Sequence, residues 1–417
     1  MKPDKTSAGA ESRRAALRLL DAVLRRGLPL EAALDAATRD LARPDDRGLA
    51  HAIAAETLRR LPDLDALIDS ATQQRLAPDA KARFALRIAL VQALALGTPP
   101  HAAISTVLPL VDGGPRRLVH GVFGALMRRK VVLPTLPALP RGVEQRWLEA
   151  WGRDMIDAAR AAMAAPPPLD LSFADAGVAA RFEGEHLAAR HARIPAHNRV
   201  AELPGFADGE FWVQDLAASI PARLLGPGEG RHVLDLCAAP GGKTLQLASA
   251  GWRVTAVDSS APRLERLWEN LARTRLPAEI VEADVMQWSP PAPVDAILLD
   301  APCSATGIFR RHPDVLHRVR SKVIAEMAGL QRAMLARAAD WLKPGGTLVF
   351  STCSLEQAEG EAHLADLPSS LVLEAVAQEE LPEGAVPHPN GHVRTLPTML
   401  ADKGGLDGFF IARFRRI

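Results

Sequence analysis

The amino-acid sequence predicts an α/β protein whose second half is a doubly wound, mostly parallel sheet preceded by an all-helical domain. Residues 12–130 carry apolar side chains at helical spacing throughout. From residue 231 onward, short apolar strand patterns alternate with helical patterns, which is typical of a parallel sheet covered by helices on both faces. The part between them combines a helical pattern, three consecutive prolines at 166–168 and short strand-like pieces, so we expect a small mixed α/β domain there.

The composition is that of a globular protein. The chain has 417 residues, 48% of them hydrophobic and 24% charged, which suits several folded domains and excludes wholesale disorder. No apolar run reaches the roughly 18 residues that span a bilayer, and the first residues lack the apolar core of a signal peptide. Three cysteines do not make a disulfide framework, which fits a reducing cytoplasm. We also expect a monomer and no membrane partner.

Charge is distributed unevenly along the chain although the net charge is only +1. Residues 1–140 contain 21 Lys and Arg against 14 Asp and Glu, whereas the remainder contains 29 against 35. A basic first half beside an acidic second half indicates contact of the first half with a polyanion. Ordinary solvated helix faces are the alternative explanation, and charge alone does not decide between them.

The helical domain is predicted from its first helix onward. Ser12 is the expected N-cap of a helix that ends near Gly27, with one apolar face formed by Ala16, Leu17, Leu20, Val23 and Leu24. Further helices are expected within 49–60, 81–97 and 117–130, with arginines on the outer faces of the domain. The proline-spaced stretch V-V-L-P-T-L-P-A-L-P-R then predicts a semi-rigid linker.

The next element is a helix around W-L-E-A-W-G-R-D-M-I-D-A-A-R, which is followed by the mixed region. We expect domain boundaries that give 1–135 for the helical domain, 136–225 for the mixed domain and 226–417 for the sheet domain. In the sheet domain, strands are predicted at 233–237, 252–258, 278–284, 294–300 and 345–353, with later candidates at 371–376 and 408–414. Pro262 fits the first turn of an intervening helix. Ligands of such sheets bind at the carboxyl ends of the strands.

The turn after the first strand reads C-A-A-P-G-G-K-T, residues 237–244. It resembles a phosphate-binding P-loop, G-x-x-x-x-G-K-[ST], except that Cys237 replaces the first glycine. Pro240 also removes one of the N–H donors that a phosphate cradle needs. Gly241 and Gly242 still let a ligand approach the backbone closely. The turn therefore favours a nucleoside-like ligand without phosphates over ATP.

Three aspartates follow successive strands of the predicted sheet. Asp258 lies about 20 residues past the glycine turn, where a carboxylate can accept hydrogen bonds from ribose hydroxyls. Asp284 follows the next strand, where it can lie near an adenine, and Asp300 ends the strand after that. One such aspartate is explained as well by a helix N-cap. Three on neighbouring strands indicate a nucleoside-type ligand.

Two thiols follow the fourth and fifth strands. Cys303 lies in D-A-P-C-S and Cys353 in S-T-C-S. A lone cysteine is usually a small buried apolar residue, but two at adjacent strand ends suggest chemistry. Metal binding is disfavoured because the chain has no C-x-x-C pattern and no histidine close to either thiol in sequence. A redox disulfide between them stays open.

The motifs D-L-C-A-A-P-G-G-K-T, D-A-P-C-S-A-T-G and S-T-C-S, in this order, resemble those of the S-adenosylmethionine-dependent RNA cytosine-C5 methyltransferases of the Fmu/Sun family. V-Q-D at 213–215 and D-G-F-F-I-A at 407–412 match as well, and the helical domain is similar to the RNA-binding NusB fold. The resemblance implies a Rossmann-like class I methyltransferase domain, the cofactor S-adenosylmethionine and an RNA partner, with small-subunit rRNA as the expected substrate.

The resemblance also implies residue roles. Asp258 would bind the ribose, Asp284 would lie by the adenine, and Asp300 would lie near both the methionine end and the target base. Cys353 is the implied nucleophile, and Cys303 is implied to help release the covalent product. The cofactor loop would consist of Cys237, Ala238, Ala239, Pro240, Gly241, Gly242 and Lys243.

These roles suit the chemistry of cytosine, whose carbon 5 is too weakly nucleophilic to attack a methyl sulfonium directly. Addition of a thiolate at carbon 6 creates an enamine whose carbon 5 can attack. Asp300 would stabilise the developing charge at ring nitrogen 3. A free thiol has a pKa near 8.5, so it needs an activating cation, for which Lys243 is a candidate.

Other interpretations of the chain stay open. Phe309-Arg310-Arg311-His312 can contact RNA near the target, or can be a packed phenylalanine beside solvated arginines. The same chemistry on tRNA or large-subunit rRNA fits the motifs equally. A NusB-like RNA-binding factor with an inert methyltransferase domain is a further alternative, which the retention of both thiols argues against.

Overall fold

The computed structural model describes residues 8–196 and 199–417. The chain folds as two compact units, one of which comprises the residues up to Gln145 together with Met163–Ala165 and Arg311–Val319. The second unit comprises Arg146–Ala162, Pro166–Arg310 and Arg320–Ile417. The division into three domains expected from the sequence stays a prediction. Within the described ranges, no helix combines the length and apolar character needed to cross a bilayer.

The first unit is built from helices, as the periodicity predicts. Leu20, Ile53 and Leu90 lie at the centre of its core with no exposed surface. The segment 311–319 belongs to this unit through His317, whose Nε2 lies 2.6 Å from the carbonyl oxygen of Leu58. In chain order its first seven helices are α1 (Ala8–Leu24), α2 (Leu30–Thr38), α3 (Pro44–Arg59), α4 (Leu61–Ser70), α5 (Lys81–Leu94), α6 (Pro100–Val107) and α7 (Gly113–Arg128).

The predicted cap at Ser12 is wrong. Helix α1 begins at Ala8, so Ser12 lies inside it, and its hydroxyl donates to the carboxylate of Asp46 at 3.1 Å. The helix begins earlier because Ala10 is buried and extends the apolar face one turn upstream. Where the apolar face continues, packing overrides the capping preference of a serine.

The arginines of this unit do not all lie on outer faces, contrary to the prediction. Arg83 and Arg87 on α5 are almost fully buried, and both form ion pairs with Asp65, at 3.1 and 2.8 Å. Arg13 is buried as well and donates to the side chain of Gln92 at 2.7 Å. The helical pattern does not predict the burial of these arginines. A long side chain with a guanidinium group can enter a core when a polar partner is buried beside it.

The second unit begins with two helices where the sequence predicts one. Helix α8 (Arg141–Trp151), of which the part from Arg146 belongs to this unit, and α9 (Arg153–Ala164) are separated by Gly152. Gly152 has a φ of +80°, a conformation that ends a helix and suits glycine. Indole and guanidinium groups of α8 reach the second half of the chain, where Trp147 and Arg146 both donate to Glu356.

A small antiparallel sheet follows, in which β1 (Leu169–Phe173) lies between β2 (His191–Ile194) and β3 (Phe211–Val213). In its register Leu171 lies opposite both Ala192 and Val213. Inside it, Asp170 accepts two hydrogen bonds from Arg193, at 2.7 and 2.8 Å. The helices in this part of the chain are α10 (Ala176–Arg181) and α11 (Leu216–Arg223).

The large sheet confirms the predicted α/β fold class. Its strands, in sheet order, are β10 (Val393–Thr395), β11 (Phe409–Arg416), β8 (Leu342–Thr352), β7 (Val294–Asp300), β4 (His232–Leu236), β5 (Arg253–Asp258) and β6 (Glu279–Glu282), and β9 (Leu371–Glu374) pairs with β11. The neighbours from β6 to β8 run parallel, and β9, β10 and β11 form an antiparallel edge. The helices in this part of the chain are α12 (Gly242–Ser249), α13 (Ala261–Thr274), α14 (Val315–Arg318, in the first unit) and α15 (Ser321–Asp340).

Helices pack on this sheet through narrow apolar faces. On α13 the buried residues are Leu264, Leu267 and Leu271, spaced three and four apart as an amphipathic helix requires. Pro262 lies in the first turn of α13, as predicted. Leu267 lies directly against the turn that follows β4, since a Cβ added to Gly241 would be 2.3 Å from its side chain.

Arg310 ties the separate segments of the second unit together. The guanidinium is fully buried and donates to Asp215 at 2.8 Å and to Asp407 at 2.9 Å. Phe309 beside it is buried too, so the interpretation of this stretch as an RNA-contacting surface is wrong for both residues. Arg310 instead explains why V-Q-D and D-G-F-F-I-A accompany the other motifs, since each supplies one of its carboxylates.

Replacing Arg310 with methionine should strongly destabilise the second unit. The substitution keeps much of the buried volume but leaves Asp215 and Asp407 without their shared cation, which costs about 3 kcal/mol or more. Urea unfolding followed by circular dichroism measures the loss. The matched control Arg253→Met removes an exposed guanidinium and should change stability by no more than about 0.5 kcal/mol. Equal unfolding midpoints for the two variants would contradict the role assigned to Arg310.

Candidate active site

The glycine-rich turn lies at the carboxyl end of β4, where the sequence predicts it. Cys237 directly follows the strand with a φ of +62°, and Gly241 precedes α12 with a φ of +110°. Gly241 therefore occupies a backbone conformation in which a side chain is strained. The N–H of Ala238 donates to the carbonyl of Val257 on the neighbouring strand, at 3.1 Å, which holds the turn against β5.

Asp258 is the last residue of β5 and faces this turn. Its carboxylate accepts hydrogen bonds from the backbone N–H of Ala239 at 3.1 Å and of Ser260 at 3.0 Å. Arg263 lies 3.4 Å from the same carboxylate and also donates to the carbonyl of Ala239. Sequence reasoning missed Arg263. Its position five residues past Asp258, in the first turn of the next helix, was the available signal.

A cleft of about 190 Å³ opens beside these residues. Asp284, two residues past the end of β6, borders it and accepts from the N–H of Met286 at 2.8 Å. Burial raises the pKa of the Cys237 thiol, which therefore stays neutral in the wall of the cleft. The lining combines carboxylates with apolar side chains: Cys237, Asp258, Ser259, Arg263, Ala283, Asp284, Val285, Met286, Pro302, Leu330 and Met334.

This lining fits the adenosyl part of S-adenosylmethionine. Carboxylates can accept hydrogen bonds from ribose hydroxyls, and Met286, Leu330 and Met334 supply an apolar surface for a flat base. Pro240 has no N–H to offer to a phosphate, in agreement with a ligand that has none. The residues present therefore suit a nucleoside without a phosphate chain.

Asp300 and Lys243 form an ion pair at the end of β7. Lys243 Nζ donates to Asp300 Oδ2 at 2.7 Å, and Ser351 Oγ on β8 donates to the other carboxylate oxygen at 2.7 Å. Burial acts to lower the pKa of Lys243, but the Asp300 carboxylate outweighs it and the pKa is raised above its ordinary value. The lysine is therefore a fixed positive charge inside the site, with the ring of Phe409 5.4 Å away.

The structure brings the two predicted thiols together. Cys303 Sγ and Cys353 Sγ are 3.4 Å apart, and both cysteines are free, so the site contains two thiols in contact and no disulfide. The hydrogen bond with Cys353, burial and the nearby negative charge of a Cys353 thiolate all raise the pKa of Cys303. Of the pair, Cys303 is therefore the one held as a neutral thiol.

Backbone hydrogen bonds join the loops that carry the thiols. Gly307 N donates to the carbonyl of Cys353 at 2.9 Å, and Gly408 N donates to the carbonyl of Gly307 at 2.9 Å. A Cβ on Gly307 would be 1.8 Å from the carbonyl oxygen of Gly408, so only glycine fits there. A buried carboxylate, Glu359, also bridges the loops, and the sequence analysis did not single it out.

No metal site accompanies these groups in the described part of the chain. Across residues 8–196 and 199–417, no cluster of three or more His, Cys, Asp or Glu side chains is arranged to hold a metal ion. The charged and nucleophilic groups described at the site are thiols, carboxylates, the ammonium of Lys243 and the guanidinium of Arg263.

Asp235 is a buried acid beneath this site. It lies on β4 two residues before Cys237, and Thr244 Oγ1 donates to one of its carboxylate oxygens. Its other oxygen has no hydrogen-bond partner among the described residues. Burial raises the pKa of Asp235 to about 7, although the hydrogen bond from Thr244 acts in the opposite direction.

A glycine turn and a nucleoside-type cleft at the carboxyl edge of this mostly parallel sheet define a class I methyltransferase. Residues 222–415 match the family model described as 16S rRNA methyltransferase RsmB/F, and residues 10–123 match that of the NusB family. The chain belongs to the RsmB/F methyltransferase family and carries a NusB domain before its catalytic domain. It is an S-adenosylmethionine-dependent RNA methyltransferase, as the resemblance to the Fmu/Sun family implies.

Curated relatives match over nearly the whole length. The chain is 35% identical to a protein named ribosomal RNA small subunit methyltransferase B from Xylella fastidiosa (strain Temecula1), covering 98% of both chains. It is 34% identical to the protein of the same name from Pseudomonas putida, covering 97% of this chain and 98% of the relative.

A solved structure shares the fold. The crystal structure of PH0851 superposes with a TM-score of 0.74 at 22% identity, covering 98% of this chain and 99% of the other. This likeness supports the architecture, and at that identity it speaks to the fold alone.

Asp235→Asn should remove a pH dependence of stability. The folded protein holds a proton on Asp235 up to about pH 7, whereas the unfolded chain releases it near pH 4. The stabilisation is therefore complete below about pH 4 and is lost as the pH rises to about 7. We expect the free energy of unfolding of the wild type to fall relative to the variant across this window. Urea unfolding at a series of pH values measures it, and parallel curves would contradict the prediction.

Proposed function

We propose that the protein methylates carbon 5 of a cytosine in small-subunit rRNA through a covalent bond between Cys353 and carbon 6 of the base. The observation that carries this proposal is the contact between two free thiols at 3.4 Å, next to the Lys243–Asp300 ion pair. Ordinary class I methyl transfer to an oxygen or nitrogen needs no thiol. A pair of thiols at the methyl-transfer site suits a carbon acceptor that must first be activated.

The chain's own residues can hold S-adenosylmethionine in the cleft. Asp258 would accept from the ribose hydroxyls, Asp284 and its neighbouring backbone would meet the adenine, and the turn from Cys237 to Lys243 would lie along the adenosyl group. Asp300 would lie towards the methionine end. When bound, the cofactor supplies an electrophilic methyl group.

Lys243 is the group that favours Cys353 as the nucleophile of the proposal. The Cys353 charge is among the groups that raise the pKa of Lys243, so a cation faces this sulfur. Cys303, by contrast, is kept protonated. The thiolate adds to carbon 6, the carbon 5–carbon 6 π electrons shift towards ring nitrogen 3, and carbon 5 becomes the nucleophile.

Asp300 manages the proton that this addition requires. Ring nitrogen 3 gains a proton as the thiolate adds; the proton that Cys353 loses on becoming a thiolate supplies it, and the Asp300 carboxylate of the Lys243–Asp300 pair would carry it to the base while Lys243 keeps its own charge. Ser351 Oγ fixes the other carboxylate oxygen, so Asp300 presents one defined orientation. The same pair takes the proton back when the adduct collapses.

Cys303 assists the last step of the proposal. After methylation, carbon 5 carries one proton too many, and its removal lets the carbon 5–carbon 6 double bond re-form while the Cys353 sulfur leaves. In the adduct the Cys353 sulfur is bonded to carbon 6 and carries no charge, which removes one cause of the raised pKa of Cys303, so Cys303 or a water molecule that it holds would act as this base. The target base must leave its stack to reach both thiols.

The substrate assignment draws on the relatives and the NusB domain. The relatives' printed names specify the ribosomal small subunit, and a basic first half suits binding to RNA phosphates. A cytoplasmic location follows from such a substrate. An rRNA of the large subunit and tRNA are the alternatives, and an inert methyltransferase domain is disfavoured because both thiols and the ion pair are intact.

Incubation with methyl-labelled cofactor and deproteinised small-subunit rRNA tests the proposed activity. We expect 5-methylcytosine at a defined position, located by nuclease mapping, and no label in tRNA or large-subunit rRNA carried through in parallel. Methylation of either parallel RNA in preference would overturn the substrate, and labelling at another atom would overturn the reaction. Cofactor binding without transfer to any RNA would favour the inert alternative.

Single substitutions of the two thiols should have different effects. Cys353→Ala should abolish turnover because no bond to carbon 6 can form. Cys303→Ala should allow addition but slow release by about 100-fold, a typical contribution of one acid–base group, so a protein–RNA adduct accumulates. Denaturing gel electrophoresis with labelled RNA detects the adduct. The double variant is the control, and an adduct in it would mean that Cys353 is not the nucleophile.

A further inference from the structure

Glu359 is a buried carboxylate that the proposed chemistry does not use directly. It ends a short 3₁₀ turn after β8 and has no exposed surface. Among the described residues no lysine or arginine forms an ion pair with it. Burial raises the pKa of Glu359, and hydrogen bonds from Ser304, Ser354 and Gln331 act against that shift. A charged group this deep is costly unless its donors hold it tightly.

The donors of Glu359 come from both thiol-bearing loops. On the Cys303 side, Ser304 donates through its backbone N–H at 2.8 Å and through its hydroxyl. On the Cys353 side, Ser354 donates through its hydroxyl to Glu359 Oε2, which also accepts from the Ser304 hydroxyl. The two hydroxyl oxygens are themselves only 3.2 Å apart. Each serine is the residue immediately after one of the cysteines.

We propose that Glu359 is a positioning residue, whose carboxylate ties the Cys303 loop to the Cys353 loop and thereby holds the two thiols in contact. The Glu359 carboxylate thus joins two segments about fifty residues apart in sequence, just after β7 and β8 have left the sheet. Gln331 on α15 completes the arrangement, since it donates to Glu359 at 3.4 Å and to the carbonyl of Pro302 at 2.8 Å. Pro302 directly precedes Cys303, so the loop is held on both sides of the thiol.

The charge of Glu359 also distinguishes the two sulfurs. It is among the groups that raise the pKa of Cys303, whereas the ammonium of Lys243 responds to the charge of Cys353. The negative charge of Glu359 therefore helps to keep Cys303 a neutral thiol. The carboxylate touches neither sulfur, so its effect passes through the serines and through space.

The test measures the distance between the thiols without RNA or cofactor. Diamide, a diazene, oxidises two thiols in contact to a disulfide and is itself reduced to the hydrazine. Wild-type protein should form the Cys303–Cys353 disulfide rapidly, as followed by mass spectrometry of the linked peptides. Glu359→Ala should slow its formation about tenfold or more, because the loops separate. Glu359→Gln keeps the size and an acceptor oxygen, and should restore the rate to within about threefold of the wild type.

Glu356→Ala is the matched control. Glu356 is a buried carboxylate in the same segment, but its side chain accepts from Arg146 and Trp147 rather than from Ser304. Its removal should leave the disulfide rate within about threefold of the wild type. Wild-type rates in folded Glu359→Ala, or equal slowing in Glu356→Ala, would overturn the positioning role. If Glu359→Ala does not fold, Ser354→Ala removes the hydrogen bond that joins the Glu359 carboxylate to the Cys353 loop, and an unchanged rate there also overturns it.

The positioning role rests on the proposed function only for its catalytic consequence. In methylation assays Glu359→Ala should lower kcat about tenfold or more and leave the KM for S-adenosylmethionine within about threefold, because Glu359 does not line the adenosyl cleft. A slowed disulfide with no methylation by the wild type would refute the proposed reaction and keep the positioning role. A changed KM with unchanged kcat would refute the positioning role for catalysis.

Discussion

The parallel pairing of β7 with β8 is the constraint on which the site depends. In this register Asp300 lies directly opposite Ser351, so both strands end at the same height of the sheet. Parallel strands leave a sheet at the same edge, and the chain therefore delivers the Cys303 and Cys353 loops side by side. Strand β4 pairs with β7 on the other side and brings the glycine turn to the same edge. If β7 and β8 slipped by one residue, the side chains of one strand would face the opposite side of the sheet, and the two thiols would no longer meet.

Electrostatics at this edge is arranged around a single ammonium group. Lys243 is buried and charged because the negative groups around it, Asp300 first among them, compensate its charge. The two sulfurs are chemically identical in isolation, so the different roles proposed for them must come from their surroundings. The hydrogen bond with Cys353 and burial raise the pKa of Cys303, whereas the Cys353 sulfur faces the cation of Lys243.

The sequence predicts the parts of this molecule that follow from periodicity and strand order. The five parallel strands, the glycine turn and the meeting of Asp258, Asp300, Cys303 and Cys353 at one edge all follow from the rule that parallel strands present their carboxyl ends together. The prediction fails where tertiary partners decide the outcome. Arg83 and Arg310 are polar by type but buried, because aspartates distant in sequence accept their hydrogen bonds.

Glu359 illustrates the same limit within the site. Nothing about a glutamate six residues past a cysteine signals that its carboxylate will bridge two loops, since the bridge depends on donors about fifty residues upstream. Ser12 shows the opposite error, because a local capping preference was weighed without the apolar face that continues before it. Local sequence patterns predict most helices and strands. They do not predict hydrogen-bond networks between segments that are distant in sequence.

The contact between Gly307 and Gly408 has a consequence for how the site comes into being. The Cys353, Gly307 and Gly408 backbones are linked by successive hydrogen bonds, and β11 begins immediately after Gly408. During synthesis, all the recognisable motifs through S-T-C-S therefore leave the ribosome before the segment that supports them. A nascent chain stopped short of residue 408 would carry every residue of the proposed catalytic set and still lack the backbone contact behind its thiols. For this fold, a fragment that contains all the motifs through S-T-C-S is not yet an assembled site.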